Sequence, residues 1–511
     1  MFSYLFFFLC LITAVLVHFF INSFFRRRNG VEFDEPPSPP ALPFIGHLHL
    51  MGPVAIKSFQ SLACRYGPLL KIRLGASKFV LASNAAVAKE IFRTHELCFL
   101  SKPEFGLSKY FIYRGSQFIM SPYNDYWRFM KKLCMTSLLG APQLDKFVGV
   151  REEERIKLVK SVMKCCREGR PCDLRSELTT LTNDSFCRMA MSTRCSEKVH
   201  ETEEVKEIVH ICVTLAGKAS LGDVLGPLKV FDFSGTAKKL WGAEALNKYD
   251  RLVERIIKEH EDKAKRGFQE DKKDLLDILL ETYADPTAEV KLSKKDIKSF
   301  LLDLFVSATD TAAAAMQWAM GELINNPEAF KKLRDEINTV VGPNRLVKES
   351  DVQNLPYLQA VIKETLRLYP SAPLIIRECT EDCRVNGFVV KAKTRMVINV
   401  FALMRDPESY TNPDEFIPER FLESSDEKIG EHQMEFKSQN FRYLPFGSGR
   451  RGCPGASLAM LVMHAAVGSL VQCFDWRVKD GDKVDLSMGS GFVAGMARPL
   501  VCYPIEHFNP F

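Results

Sequence analysis

Charge of one sign is scarce in this chain: 69 Lys and Arg stand against 63 Asp and Glu, leaving +6 on 511 residues. So even a balance, without a basic stripe, speaks against a nucleic-acid binder. Cysteine is present but unpatterned. The 15 cysteines are odd in number, irregular in spacing and include no C-x-x-C pair, so neither a disulfide framework nor a zinc or iron–sulfur pattern is readable. No G-x-G-x-x-G follows a strand, which excludes a built-in flavin or nicotinamide fold. No internal repeat is visible, and no second linker lies beyond residue 50. Hydrophobic residues make up 46% and charged residues 26%. That globular balance excludes a disordered, collagenous or wholly membrane-embedded protein. Length alone would allow about three domains. Phe is plentiful at 37 and implies large apolar contacts inside.

What is present begins at the amino terminus. Phe2 to Phe25 is apolar apart from Ser3, Thr13, His18, Asn22 and Ser23. At about 1.5 Å per residue this run reaches roughly 36 Å, enough to cross a bilayer core. Arg26, Arg27 and Arg28 follow at once and keep the body cytosolic. The run lacks a basic leading region and a small-x-small cleavage site, so it reads as an uncleaved anchor and not a signal peptide. Pro36-Pro37-Ser38-Pro39-Pro40, Pro43 and Gly46 then form a stiff extended spacer. The expected organisation is an anchor over 1–28, a hinge over 29–53 and one undivided domain over 54–511. A cytosolic body keeps its thiols reduced and leaves the sequon Asn183-Asp184-Ser185 unglycosylated.

Strand-like runs occur at Leu69–Leu74, Phe79–Ala82, Val385–Val390 and Arg395–Asn399. The rest reads mainly as helix. Gln143–Arg167 and Ala245–Arg266 are long and amphipathic. Leu292–Ile324 is apolar around its middle, stops at Asn325-Asn326-Pro327, and reads as a buried helix with room for a deep site at its centre.

The chemistry concentrates in Phe446-Gly447-Ser448-Gly449-Arg450-Arg451-Gly452-Cys453-Pro454-Gly455. Its glycines let the backbone turn and approach a flat ligand closely. Arg451 supplies a fixed positive charge. Cys453 precedes the helical run Ala456–Phe474, and a positive helix end lowers a thiol pKa. A thiolate in such a loop suits an axial heme ligand.

This segment resembles the F-x-x-G-x-R-x-C-x-G heme signature of cytochrome P-450, with Phe446, Gly449, Arg451, Cys453 and Gly455 in the matching places. Three further motifs occur in the family's order. Glu364-Thr365-Leu366-Arg367, with Arg420 in Pro418-Glu419-Arg420-Phe421, resembles the family's buried charged lock behind the heme. Ser307-Ala308-Thr309-Asp310-Thr311 resembles the acid–threonine motif, so the resemblance implies that Asp310 and Thr311 steer protons to bound dioxygen. Ala308 and Ser307 depart from the usual Gly and Ala there. Trp127-Arg128-x-x-Lys131-Lys132 resembles the helix that holds a heme propionate, with Lys131 in place of an Arg, and Arg377 and Arg451 complete that set. Lys131 and Lys132 are alternatively a solvated face that meets a redox partner. His47, His49 and His464 read as packing or surface residues.

The resemblance implies a mainly α fold with small β-sheets, preceded by one transmembrane helix. It implies heme b with its iron ligated by the Cys453 thiolate, consuming dioxygen and electrons from a separate NADPH-cytochrome P-450 reductase. The endoplasmic reticulum membrane is the expected location. Trp127 to Leu138, Leu346–Leu358 and the ending Asn509-Pro510-Phe511 are most similar to a plant group of triterpene hydroxylases and of flavone and isoflavone synthases. The implied pocket comprises Phe105, Phe111, Phe118, Ile119, Leu302, Phe305, Leu374, Ile375, Ile376, Phe492 and Val493. So apolar a set favours a pentacyclic triterpene such as friedelin or β-amyrin, since a pocket that reads phenolic hydroxyls needs placed polar partners. A flavonoid oxidase is the alternative. A reductase-independent peroxide-rearranging enzyme and a non-catalytic heme binder stay open, and the acid–threonine pair speaks against both.

Overall fold

A computed structural model describes residues 13, 17, 35–103, 113, 117–194, 208, 211, 233–266, 273–422, 441–479, 483–489, 491 and 493–511. The anchor expected over 1–28 lies outside the described residues apart from positions 13 and 17. The architecture is mainly helical with small sheets. Its larger helices are α1 (Ala55–Tyr66), α2 (Asp125–Cys134), α3 (Val148–Arg167), α4 (Leu174–Met191), α5 (Phe233–Lys265), α6 (Leu275–Ala284), α7 (Lys294–Asn325), α8 (Pro327–Val341), α9 (Pro356–Leu368) and α10 (Ala456–Cys473).

Helix α7 is the axis of the body. Ser293 caps it: its hydroxyl accepts the Asp296 N–H while Asp296 accepts the Ser293 N–H at 2.8 Å. This reciprocal box satisfies two orphan donors. Pro327 opens α8 and ends the run, because a proline disfavours helical geometry in the residue before it. Both α7 and α10 are long and apolar enough to cross a membrane, yet both lie mostly buried within the body. They share one core with α9 and α3 through Trp318, Met316, Leu358, Val467 and Val159.

Strands β1 (Leu69–Leu74), β2 (Ser77–Ala82), β4 (Leu374–Glu378) and β7 (Arg395–Asn399) form a four-stranded sheet in the order β1-β2-β7-β4. The pairing is antiparallel except where β2 runs parallel to β7, with Leu81 opposite Val397. The two-residue strand β3 (Cys172–Asp173) joins β8 (Phe474–Arg477) and β9 (Val501–Glu506) in a second sheet.

Three expectations change. The run Val385–Val390 is a hairpin of β5 (Cys383–Val385) and β6 (Phe388–Val390). Asn386 and Gly387 both take positive φ, as a tight two-residue hairpin turn requires. The helix expected over Gln143–Arg167 is interrupted at Phe147, whose ring is buried and whose backbone leaves helical geometry. The proline-rich segment is docked and not free-standing. Pro37 accepts the Lys71 N–H at 2.8 Å, the His47 N–H donates to the Arg73 carbonyl, and the buried His47 ring takes the Arg73 N–H at 2.8 Å. Gly46 has φ +62 and its Cα faces the Arg73 carbonyl so closely that no side chain fits. Asn183, Asp184 and Ser185 are all buried in α4, so the sequon is closed to a glycan by packing alone.

Candidate active site

The Cys453 loop is a set of tight turns. Gly447 and Gly449 both have φ +70, a conformation that carries little penalty only in glycine. The Cys453 N–H donates to the Phe446 carbonyl at 2.9 Å, and the Gly452 N–H to the Gly449 carbonyl at 2.9 Å. A Cβ on Gly447 would stand 3.4 Å from Ile375 of β4, so the loop lies against that strand. The letters Gly447 to Gly452 happen to match G-x-G-x-x-G, but turns and not a strand precede them.

The Cys453 thiol is enclosed by protein yet accessible, so it looks into an internal space. The expected lowering of its pKa is not what the protein provides. Burial pushes the thiol up, and the Gly455 N–H, Lys131 and Lys102 only partly offset it. Desolvation outweighs the helix end here. A metal ligated by Cys453 would favour the thiolate, because a coordinating thiol is held deprotonated.

Cations gather beside the thiol. Arg451 stacks its guanidinium on the Trp127 ring at 4.2 Å and donates one N–H to the Ser121 carbonyl at 2.5 Å. Its Nε and Nη1 are buried without a partner. Arg377 is buried, and burial plus the nearby Arg451 push its pKa down to about 10. Burial pushes Arg451 down to about 10 as well. Lys102 carries no sequence signal as a site residue. Burial, Arg377 and Arg451 bring its ammonium down to about 7, against the opposing pull of Asp303 and Cys453. None of these three cations makes an ion pair with a carboxylate among the described residues. The buried Arg377, close to Arg451 with its two orphaned donors, calls for an anionic group. The two carboxylates of heme are such a group, so the residues fit the cofactor. Lys131 is engaged differently: its ammonium donates to the carbonyls of Arg450 at 2.7 Å and Gly452 at 3.3 Å.

At the centre of α7, Val306, Ser307, Ala308 and Thr311 are part-exposed although the flanking turns are buried. The Thr311 hydroxyl donates to the Ser307 carbonyl at 2.6 Å, and Ser371 donates to the Thr311 carbonyl at 2.9 Å. Asp310 pairs with Arg175 of α4 at 2.9 Å. Asp303, two turns earlier, accepts the N–H groups of Phe118 and Ile119 at 2.7 and 2.9 Å. Burial raises its pKa to about 6. Neither Arg175 nor Asp303 carries a sequence signal, because each sits in ordinary helical spacing.

Glu364 and Arg367 on α9 are fully buried and meet in two hydrogen bonds of 2.7 and 2.9 Å. Arg420 joins at 3.0 Å. The spare donors of Arg367 reach the carbonyls of Met404, Pro413 and Glu415, so no polar atom of this buried group is stranded.

Among the pocket residues, Ile119, Leu374, Ile375, Ile376 and Val493 are part-exposed. Phe118, Leu302 and Phe305 are not. Phe118 is packed between Trp127 and Phe300, and Phe305 faces Tyr249 of α5. Leu302 and Phe305 lie in the turn before the part-exposed stretch Val306–Ala308 and are packed inward. Phe105, Phe111 and Phe492 lie outside the described residues.

A family model described as cytochrome P-450 matches residues 36–503. The chain belongs to the cytochrome P-450 family. It is 40% identical to the 3,9-dihydroxypterocarpan 6A-monooxygenase of Glycine max over 511 residues, spanning 98% of each. It is also 40% identical to the beta-amyrin 24-hydroxylase of Glycine max, over 99% of this chain and 98% of the relative. A zebra fish cytochrome P-450 structure with progesterone shares the fold, with a TM-score of 0.74 over 88% of this chain and 99% of that one at 22% identity. This cytochrome P-450 is therefore a heme-thiolate monooxygenase. Heme, when bound, supplies the iron chemistry that activates dioxygen. The chain's own part visible here is to enclose the thiol, gather Arg377 and Arg451 beside it, and place a hydroxyl and a carboxylate on α7.

Proposed function

We propose that this cytochrome P-450 hydroxylates a large apolar plant metabolite, most closely a pentacyclic triterpene of the friedelin or β-amyrin type, and can carry the same carbon on to an aldehyde or acid. The observation that carries the reading is the apolar chemistry of the part-exposed residues expected at the pocket. Ile119, Ile375 and Val493, with Val306 and Ala308 of α7, offer hydrocarbon, and the neighbouring Ser307 and Thr311 hydroxyls are turned back to carbonyls of their own helix, whereas a hydroxyl-reading pocket needs placed polar partners. The likeness to a beta-amyrin hydroxylase supports it. Electrons come from a separate NADPH-cytochrome P-450 reductase, whose acidic face would meet Arg450 and Arg442. The apolar run over Phe2–Phe25 anchors the enzyme in the endoplasmic reticulum membrane with its catalytic body in the cytosol. Cys453 ligates iron, Arg377, Arg451 and Trp127 hold the propionate end, Phe446 covers the thiolate side, and Asp310 and Thr311 deliver protons.

A flavonoid oxidase is the second reading, favoured by the equal identity to the pterocarpan monooxygenase. The test is expression in yeast with a plant reductase, feeding friedelin, β-amyrin and naringenin separately. A product 16 mass units heavier, or its oxidised successor, is expected from a triterpene. Product from naringenin alone reverses the order.

A further inference from the structure

We propose that Glu96 is a positioning residue for the iron ligand, acting with Lys131 as a two-sided clamp on the Cys453 loop. The proposal rests on the heme-thiolate reading of Cys453. Arg450 lies three residues before that cysteine, and both of its backbone polar groups are held from outside the loop. Its N–H donates to Glu96 Oε1 at 2.7 Å. Its carbonyl accepts from the Lys131 ammonium at 2.7 Å, and the same ammonium reaches the Gly452 carbonyl at 3.3 Å. Glu96 closes the contact with its second oxygen, 3.2 Å from the Arg450 guanidinium.

The loop is shaped to receive that carboxylate. Gly449 has φ +70, and a Cβ there would press on Glu96 Oε1 at 2.5 Å. The glycine thus serves two ends: it permits the turn and makes room for the acid. Glu96 is otherwise unexplained by the site, and it belongs to a segment far from Cys453 in sequence. A carboxylate accepting a backbone N–H is a charge-assisted bond, about twice as strong as a neutral one. The sulfur's position depends on the loop's geometry, because the turns that carry Arg450 also fix the Cys453 N–H on the Phe446 carbonyl and the Gly452 N–H on the Gly449 carbonyl. Releasing Arg450 frees the turn that aims the sulfur. Glu96 touches neither iron nor substrate, so its effect passes through the loop.

The test uses full-length holoenzyme purified with heme. Glu96→Gln keeps an oxygen for the Arg450 N–H, whereas Glu96→Ala removes it. The measurement is the reduced, carbon monoxide-bound Soret band during mild urea or pressure treatment, with far-ultraviolet circular dichroism recorded alongside. Glu96→Ala should pass from the thiolate form to the neutral-thiol form roughly tenfold faster, the weight of one hydrogen bond to a charged group. Helical signal should be unchanged over that interval. Glu96→Gln should stay within about threefold of the wild type, as a neutral hydrogen bond retains most of the contact. Equal conversion rates in wild type and Glu96→Ala overturn the clamp. So does conversion that only tracks the loss of helix, since that marks a role in general stability. If Glu96→Ala fails to fold, the heme reduction potential of Glu96→Gln decides. Losing a negative charge beside the loop should raise it, and an unchanged potential overturns the proposal. A wild type without the thiolate band refutes the Cys453 assignment instead.

Discussion

Arg175 of α4 holds Asp310 of α7, guanidinium to carboxylate, at 2.9 Å. Room for this reach comes from Gly495, where a Cβ would stand 3.0 Å from the Arg175 Nη1. The acid assigned to proton delivery is therefore tethered to a second helix. An acid that must release and regain a proton works best when its carboxylate returns to one place. Asp310→Asn should lower product formation on the order of 10²-fold, the usual range for a positioned acid or base. Arg175→Met should lower it less, about tenfold, with a carbon monoxide-bound spectrum like the wild type's. Steady-state product formation against NADPH consumption checks both.

Thr311 sits one residue on, with its hydroxyl turned back to Ser307. Thr311→Ala removes the hydroxyl but little volume. NADPH use should continue while product per NADPH falls several-fold, read by parallel assays of the two. Unchanged coupling removes the proton-steering role.

The lock behind the site should fail abruptly. Glu364 is fully buried with two arginines on it. Glu364→Ala strands both guanidinium groups, at a cost of about 3–5 kcal/mol. Protein accumulation and heme content should both collapse. Exchanging Arg420→Lys should cost less, because Arg420 is peripheral to the pair and part of its bonding goes to the Thr411 and Asn412 carbonyls. Heme per polypeptide is the measurement.

His260 gives a pH dependence remote from the iron. Its Nδ1 faces the Ile256 carbonyl at 2.9 Å and its Nε2 the Asp274 carboxylate at 3.0 Å. Both partners accept hydrogen bonds from ring N–H groups, so this geometry favours the protonated ring. Burial opposes that charge, but the Asp274 hydrogen bond and charge, the Ile256 carbonyl and Asp277 outweigh it, and the pKa is raised. A raised folded pKa gives stability that is complete below about 6.5, the unfolded value. It is lost as pH rises through the folded pKa. The thermal midpoint of wild type should therefore fall relative to His260→Leu between pH 6 and pH 9. A constant difference between the two would show that the ring carries no charge.

Gly46→Ala should loosen the junction of the proline-rich segment with β1. The methyl would meet the Arg73 carbonyl, and φ +62 strains any residue but glycine. A cost of about 1–3 kcal/mol is expected for such backbone strain. The thermal midpoint should drop while the carbon monoxide-bound spectrum stays that of the thiolate.

Much of the site is legible in short stretches of sequence. Cys453, Arg451, Glu364, Arg367 and Asp310 stand in local patterns, and such patterns survive because turn geometry and helix period are set by neighbours a few residues apart. The β1 strand and the span of α7 are legible for the same reason. What escapes are residues recruited across long separations. Lys102, Glu96, Arg175 and Asp303 gain their meaning from a partner 135 to 354 positions away in sequence, or from burial. No local pattern marks them.

By itself, then, the sequence determined the heme signature, the order of the motifs and the helical class, since these are written in contiguous residues. Only the tertiary structure decided the direction of the Cys453 thiol's pKa, the diversion of Lys131 to the loop carbonyls, and which side of α7 faces the open space. Each is set by desolvation or by competition among distant partners for one side chain, and those are properties of the assembled fold.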